Sequence, residues 1–147
     1  MKNRNAFFIL SISTLIVISD QITKYLISSR IKLHDSIPLI KDILHLTHIQ
    51  NTGAGFGMLK GWNIILILIS MIIIGVILFY FKRIEKEKQI HIPIALVLGG
   101  AIGNLTDRIL LGHVIDFIDF RVWPAFNIAD SAITIGALWL MLYFWKK

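Results

Sequence analysis

The sequence predicts an all-α integral membrane protein with four transmembrane helices, and two observations carry that prediction. Of the 147 residues, 56% are hydrophobic and only 16% are charged, and the mean hydropathy is +0.73. A soluble domain of this length cannot bury so much apolar surface. The apolar residues also fall into four runs, each close to the roughly 20 residues that cross a bilayer as a helix. We expect a single membrane-embedded domain, residues 1–147.

The four predicted spans cover about residues 6–28, 61–81, 90–108 and 125–145. Lys2 and Arg4 precede the first apolar run, as they would in a signal peptide, but no small-x-small cleavage site follows. We therefore expect an uncleaved first helix. The second span carries no charge, and the fourth carries only Asp130. Backbone polar groups inside a bilayer must be satisfied within their own segment, so each span is predicted to be helical.

Lysine and arginine placement predicts the orientation, because these residues accumulate on the cytoplasmic side. The short link "KRIEKEKQ", residues 82–89, holds four of them, and each terminus holds two. The termini and the link are therefore predicted to be cytoplasmic, with outer loops at about residues 29–60 and 109–124. The first outer loop contains "ILHLTHIQNTGAGFGML", whose β-branched residues and glycines predict short strands and turns. We also expect that this loop could cover a functional site, with its glycines as hinges.

Composition also excludes several functions. The pI is near 9.8, yet the basic residues are scattered around apolar runs, so we expect no nucleic-acid partner. The chain has no cysteine, which excludes disulfides, a thiol nucleophile and a thiolate metal site. His45 and His48 have no carboxylate or cysteine at ligand spacing nearby, so we expect surface histidines. We expect no metal and no cofactor.

Three carboxylates in the predicted spans lie at a common depth. Asp20 lies about 15 residues beyond the start of the first span, Asp107 about 17 beyond the start of the third, and Asp130 about 15 before the end of the fourth. At about 1.5 Å per residue, each lies roughly 22–26 Å from the inner edge of the membrane. Ionisable groups within spans are costly and usually functional. We therefore predict one polar centre near the outer leaflet.

Local spacing supports this polar centre. Asp20 and Lys24 are four residues apart on one helical face, which favours a structural ion pair. Asp107 and Arg108 are adjacent, and we expect a buried pair or a helix-end anchor that orders the site. These charged residues are expected to support the site.

Small and polar residues of the third span share faces. Gly99 and Gly103 form a small-xxx-small pair, which permits close helix approach. Gly100, Asn104 and Arg108 follow one another at steps of four. The third span therefore has a polar face beside a face that permits close helix contact. Such a combination is suited to a site between helices.

Asp130 needs a partner, because its sequence neighbours offer no cation and an unpaired carboxylate in a span is expensive. The segment "GHVIDFIDF" places Asp116 and Asp119 on the outer return, and either one could reach Asp130. Two adjacent carboxylates cannot both ionise cheaply, so one keeps a proton near neutral pH. The ionised one can activate water and the protonated one can donate, which is aspartyl peptidase chemistry.

Other chemistries fit less well. The sequence contains no HExxH zinc motif, no P-loop and no dinucleotide fingerprint. A small four-helix proton-coupled transporter also uses intramembrane carboxylates, but it needs them accessible from both sides, whereas here they gather toward one side. A structural assembly protein would not require two acidic residues together. The peptidase and the transporter remain the two hypotheses at this point.

Five segments resemble, in order, the motif blocks of the lipoprotein signal peptidase family, bacterial signal peptidase II. They are "DQITKY" (20–25), "NTGAGFG" (51–57), "GGAIGNLTDR" (99–108), "GHVIDFIDF" (112–120) and "FNIADS" (126–131). The resemblance implies a four-helix aspartic endopeptidase of the bacterial inner membrane with a small extracytoplasmic β-sheet cradle. Such enzymes cut diacylglyceryl-modified prolipoproteins just before the lipid-modified cysteine, and globomycin inhibits them. The implied partners are prolipoprotein signal peptides, membrane lipid and globomycin.

The resemblance also implies roles for individual residues. It assigns catalysis to Asp116 and Asp130, and so chooses Asp116 over Asp119. It assigns substrate and inhibitor binding to five residues: Asn51, Gly100, Asn104, Arg108 and Asn127. It gives supporting positions to Asp20, Lys24 and Asp107.

Overall fold

The computed structural model describes residues 3–53 and 61–147. The helices of this part are α1 (Asn3–Arg30), α2 (Asn63–Phe79), α3 (Phe81–Ile84), α4 (His91–Leu110) and α5 (Ile128–Trp145). The strands are β1 (Ser36–Ile40), β2 (Leu44–Asn51) and β3 (Val114–Asp119). Part of the glycine-rich segment predicted to act as a hinge, residues 54–60, lies outside the described residues.

Three helical stretches of the described part are long and apolar enough to cross a membrane: Arg4–Arg30, Lys88–Leu110 and Ile128–Trp145. Helix α2 is apolar but has only 17 residues. At about 1.5 Å per residue it is roughly 25 Å long, whereas a bilayer core is about 30 Å thick. The sequence predicted a longer second span, but the helix ends at Phe79 and a separate short helix begins at Phe81.

Helix α4 is the most buried helix and packs against α1, α2 and α5. Glycines bring the backbones together. A Cβ atom on Gly99 would lie 2.7 Å from the Ser13 carbonyl oxygen of α1, and one on Gly103 would lie 2.8 Å from the Asp20 carboxylate. The close helix approach predicted from these two glycines is confirmed. Outward-facing side chains such as Phe79, which is 82% exposed, are large and apolar, as a lipid-facing surface requires.

The strands form one antiparallel sheet in the order β1-β2-β3. Its buried apolar cluster joins Ile27 and Ile31 at the end of α1 to Ile115 and Phe117 of β3. The sequence predicted strands in the first outer loop, and β1 and β2 lie there. Strand β3 lies in the second loop, where the residue pattern alone suggested only a short return. The alternation in "VIDFID" was the signal that could have predicted it.

The chain ends lie at the opposite end of the helices from the sheet. The Asn5 side chain donates to the Glu85 carbonyl oxygen at 3.0 Å, so the start of α1 lies beside the link between α2 and α4. At the end of α5, the Lys147 ammonium lies 3.5 Å from the Glu87 carboxylate. The strands follow the far ends of α1 and α4. The fold therefore separates a basic end, with the termini and the link, from the sheet end.

Candidate active site

Asp130 lies in the first turn of α5. Asn127 is the N-cap residue: its side-chain oxygen accepts the Asp130 backbone N–H at 2.8 Å. The Asp130 carboxylate in turn accepts the Asn127 backbone N–H at 3.3 Å. This capping box starts the helix at Ile128, a few residues later than the predicted span. It explains the carboxylate in an apolar stretch, because Asp130 satisfies the backbone where the helix begins.

Asp116 lies on β3, where it pairs with Ile49 of β2. Its side chain is only 2% exposed. One carboxylate oxygen accepts the Asn51 side-chain amide at 2.8 Å, and the other accepts that of Asn127 at 2.7 Å. Burial, followed by the charge of Asp130, raises the pKa of Asp116 to about 7, although both hydrogen bonds lower it.

Two asparagines connect the carboxylates. The Asn104 amide nitrogen donates to Asp130 at 2.7 Å, and its oxygen accepts the Asn127 amide nitrogen at 3.2 Å. Asn127 contacts Asp116, so a continuous hydrogen-bonded chain runs from one acid to the other. The structure thus brings together two acids and three asparagines from β2, β3, α4 and α5.

Asp116 and Asp130 line the same cavity, whose volume is about 650 Å³. Its apolar walls come from α2 on one side and α5 on the other: Leu66, Ile69, Ile73, Ile133 and Ile135. Arg108 lines the polar end, where its guanidinium donates to the carbonyl oxygens of Asn104 and Gly53 at 3.4 Å. The buried Nε of Arg108 has no hydrogen-bond partner among the described residues. The polar end of the cavity therefore combines a guanidinium with two acids.

Buried charged residues that do not line the cavity lie next to the site. The predicted Asp20–Lys24 ion pair is confirmed at 2.6 Å. Asp107 also pairs with Lys24, at 2.8 Å, so of the two alternatives for Asp107 and Arg108 the buried pair is wrong. The helix-end anchor remains, since the Asp107 carboxylate accepts the Ile115 backbone N–H at 3.4 Å. Successive residues on a helix point about 100° apart. Asp107 therefore faces α1 while Arg108 faces the cavity.

Gly100 is a close contact between helices and does not line the cavity. A Cβ atom on Gly100 would lie 2.7 Å from Ile133 Cγ1, and closer still to the Ala129 carbonyl oxygen. Sequence reasoning missed Gln21, whose amide donates to Asp107 at 2.8 Å and to the Gly103 carbonyl oxygen at 3.2 Å. Its position beside Asp20, within a span, was an available signal.

Asp119, the alternative to Asp116, lies outside the cavity lining. Its carboxylate accepts the Thr47 hydroxyl and the Arg121 backbone N–H, each at 2.8 Å. The expectation of surface histidines is wrong: His45 and His48 are 9% and 6% exposed. Both lie on β2, where His48 Nδ1 is 2.9 Å from the Ile31 carbonyl oxygen and His45 Nδ1 accepts the Arg121 Nε–H at 3.1 Å.

Comparisons with known proteins point in one direction. The family model described as "Signal peptidase (SPase) II" matches residues 12–146. A lipoprotein signal peptidase of Halothermothrix orenii is 43% identical over 133 residues, covering 90% of this chain and 92% of that protein. One of Syntrophus aciditrophicus is 42% identical over 152 residues, covering 97% and 94%.

A solved structure has the same fold. It is described as "Bacterial membrane enzyme structure by the in meso method at 2.3 A resolution" and superimposes with a TM-score of 0.88 at 36% identity. The match covers 94% of this chain and 87% of that one. These similarities give the transporter alternative no support. The chain belongs to the signal peptidase II family of proteases.

Proposed function

We propose that this chain is an aspartic endopeptidase that removes signal peptides from diacylglyceryl-modified prolipoproteins, cutting just before the lipid-modified cysteine. The observation that carries the catalytic type is the hydrogen-bonded chain between Asp116 and Asp130 at the wall of one cavity. Membership of the signal peptidase II family supplies the substrate class.

In this mechanism Asp116 and Asp130 hold one proton between them. The raised pKa of Asp116, about 7, supports a proton that is retained near neutral pH. The ionised carboxylate takes a proton from water as the water attacks the scissile carbonyl. The protonated one donates to the developing oxyanion or to the leaving amine. Asn51, Asn104 and Asn127 hold the carboxylate oxygens in place throughout.

The cavity suits an amphipathic substrate. The apolar part of a signal peptide can lie along the isoleucine and leucine walls from α2 and α5, with its acyl chains toward lipid. Peptide carbonyls leaving water need donors, and the guanidinium of Arg108 lies at the polar end of the cavity. We propose that substrate and globomycin occupy this cavity and contact Asn51, Asn104 and Arg108, which line it. Asn127 is fully buried outside the lining and contributes by holding Asp116. Gly100 contributes by setting the α4–α5 distance.

The membrane arrangement is part of the proposal. The basic end carries four lysines and arginines in residues 82–89, which favours a cytoplasmic location for this end and both termini. Helix α2 is the second of four spans, at the short limit of the about 17–25 residues that cross a bilayer. The sheet and the two acids then lie near the outer leaflet of the inner membrane. Single cysteines introduced into this cysteine-free chain, in the link and in the β1–β2 turn, should label from opposite sides.

The test of the peptidase proposal is isosteric substitution. Asp116→Asn and Asp130→Asn remove the shared proton without changing side-chain size. We expect each to lower cleavage of a purified diacylglyceryl-modified prolipoprotein by about 10³-fold or more, the scale of lost acid–base catalysis. Asp119→Asn is the matched control, because it removes a carboxylate from the same strand outside the cavity. It should cleave normally, and globomycin should inhibit both it and the wild type.

Near-full cleavage by folded Asp116→Asn or Asp130→Asn would exclude an aspartic mechanism. A folded wild-type protein that cleaves no lipid-modified substrate would exclude the substrate assignment.

A further inference from the structure

Lys24 is a fully buried cation with every donor used. It is 2% exposed, between Asp20 at 0% and Asp107 at 3%. Its ammonium contacts Asp20 at 2.6 Å, Asp107 at 2.8 Å and the side-chain oxygen of Asn104 at 3.0 Å. An ammonium has three N–H donors and no acceptor. Each donor therefore has its own partner, and the third partner belongs to the chain that links the two acids.

The contact with Asn104 decides which way the amide points. An amide oxygen and nitrogen have nearly the same shape, so packing does not distinguish them. Because an ammonium only donates, the Asn104 atom that faces Lys24 must be the oxygen. The NH₂ group then faces Asp130, at 2.7 Å. Asn127 is oriented in the same way by the Asp130 backbone N–H, which turns the Asn127 NH₂ group toward Asp116.

Stability does not account for this arrangement. Burying an ammonium and two carboxylates costs desolvation free energy, and well-packed apolar replacements are often equally stable or more stable. The buried charges do, however, deliver one feature that apolar residues cannot provide, which is a fixed donor at Asp130.

We propose that Lys24 is a positioning residue for the acid pair: through the amide of Asn104, it keeps a hydrogen-bond donor on Asp130. This inference rests on the proposed aspartic mechanism. With the donor in place, the bonded oxygen of Asp130 acts as an acceptor, and the shared proton stays available between Asp130 and Asp116. Without Lys24, the Asn104 oxygen keeps only the 3.2 Å hydrogen bond from Asn127, so the amide rotates more readily. After such a rotation the Asn104 side-chain oxygen would face an Asp130 carboxylate oxygen. The proton shared by the acid pair would then be held between these two acceptors.

The groups that act on the pair come from every adjoining element. Lys24 acts on it from α1 together with its partner Asp20, and Arg108 faces it from α4, where Asp107 pairs with Lys24. Because their charges also move the titration of the pair, a test of orientation must hold the net charge constant. The buried triad of Asp20, Lys24 and Asp107 has a net charge of −1 when all three are ionised.

The Asp20→Asn/Lys24→Met double variant keeps this net charge while removing the donor to Asn104. The Asn oxygen can still accept the Ala129 backbone N–H, which Asp20 accepts at 2.9 Å. We expect kcat to fall at least tenfold with KM nearly unchanged. The alkaline limb of the pH–rate profile should move to higher pH than in the wild type. Asp20→Asn alone is the control, because Lys24 and its hydrogen bond to Asn104 remain. The alkaline limb of its pH–rate profile should not move to higher pH.

A folded double variant with the wild-type kcat and pH profile would overturn the proposal. If the double variant does not fold, side-chain amide NMR of the wild-type protein tests the same orientation. The Asn104 NH₂ signals should shift as the acid pair titrates, because this group donates to Asp130. Signals that do not respond to this titration would contradict a fixed donor at Asp130. This NMR result does not depend on cleavage, whereas an inactive wild type would count against the proposed function alone.

Discussion

Gly100→Ala is a direct test of how helix packing places the acid pair. A Cβ atom at this position would lie 2.7 Å from Ile133 Cγ1, and nearer to the Ala129 carbonyl oxygen. The isoleucine side chain can turn away, but the carbonyl belongs to the α5 backbone. Carbon atoms in contact lie about 3.5–4.0 Å apart, so α5 must move from α4 by roughly 1 Å. Ala129 is the neighbour of Asp130, so the carboxylate moves with the backbone.

The expected cost follows from that displacement. A misplacement of about 1 Å at a catalytic group costs on the order of 10²-fold in rate. Overpacking a buried contact costs about 1–3 kcal/mol of stability. We therefore expect cleavage to fall about 100-fold while the protein remains folded, with a moderate loss of thermal stability in detergent.

Gly75→Ala in α2 is the matched control. A Cβ atom there meets nothing within 4 Å. Both variants should be compared by initial cleavage rate and by thermal unfolding. If Gly100→Ala cleaves within twofold of the wild type, α4–α5 contact does not set the position of Asp130. If Gly75→Ala loses as much activity, the loss is a general effect of alanine in these helices.

Three further changes test the site. Activity should fall as pH rises through about 7, because Asp116 holds its proton below its pKa of about 7 and loses it above; a pH–rate profile checks this. Asn51→Leu removes a hydrogen bond that lowers this pKa, so the pKa should rise and the alkaline limb should move to higher pH; an unmoved limb would contradict the assignment. Asp20→Ala should lower stability by about 3–5 kcal/mol, since it breaks a buried ion pair and leaves the Ala129 N–H unpaired, whereas Asp20→Asn should lose less; equal unfolding temperatures would refute this.

Features that depend on near neighbours in sequence were predictable. Apolar runs gave the helices, because membrane-crossing segments must be apolar and must satisfy their own backbone. The Asp20–Lys24 pair followed from a spacing of four on one helical face. The contact at Gly99 followed from a small-residue spacing.

Features that depend on strand register and helix rotation required the structure. From the residues alone, Asp116 and Asp119 were equal candidates as partners of Asp130. Asp116 pairs with Ile49 of β2, and its side chain lines the cavity. The Asp119 carboxylate instead contacts Thr47. His45 and His48 were misjudged because their burial depends on contacts with Arg121 and Ile31, which local spacing does not reveal.

The sequence by itself therefore determined that this chain holds acidic groups at one level among apolar helices. Only the tertiary structure decided their partners: Lys24 reaches Asn104 across 80 positions of the chain, and Asn104 reaches Asp130 across 26. The physical reason is that a hydrogen bond depends on distance and direction between atoms. Those are set by the packing of α1, α4 and α5, to which the glycines contribute, and not by the order of the residues that form the bond.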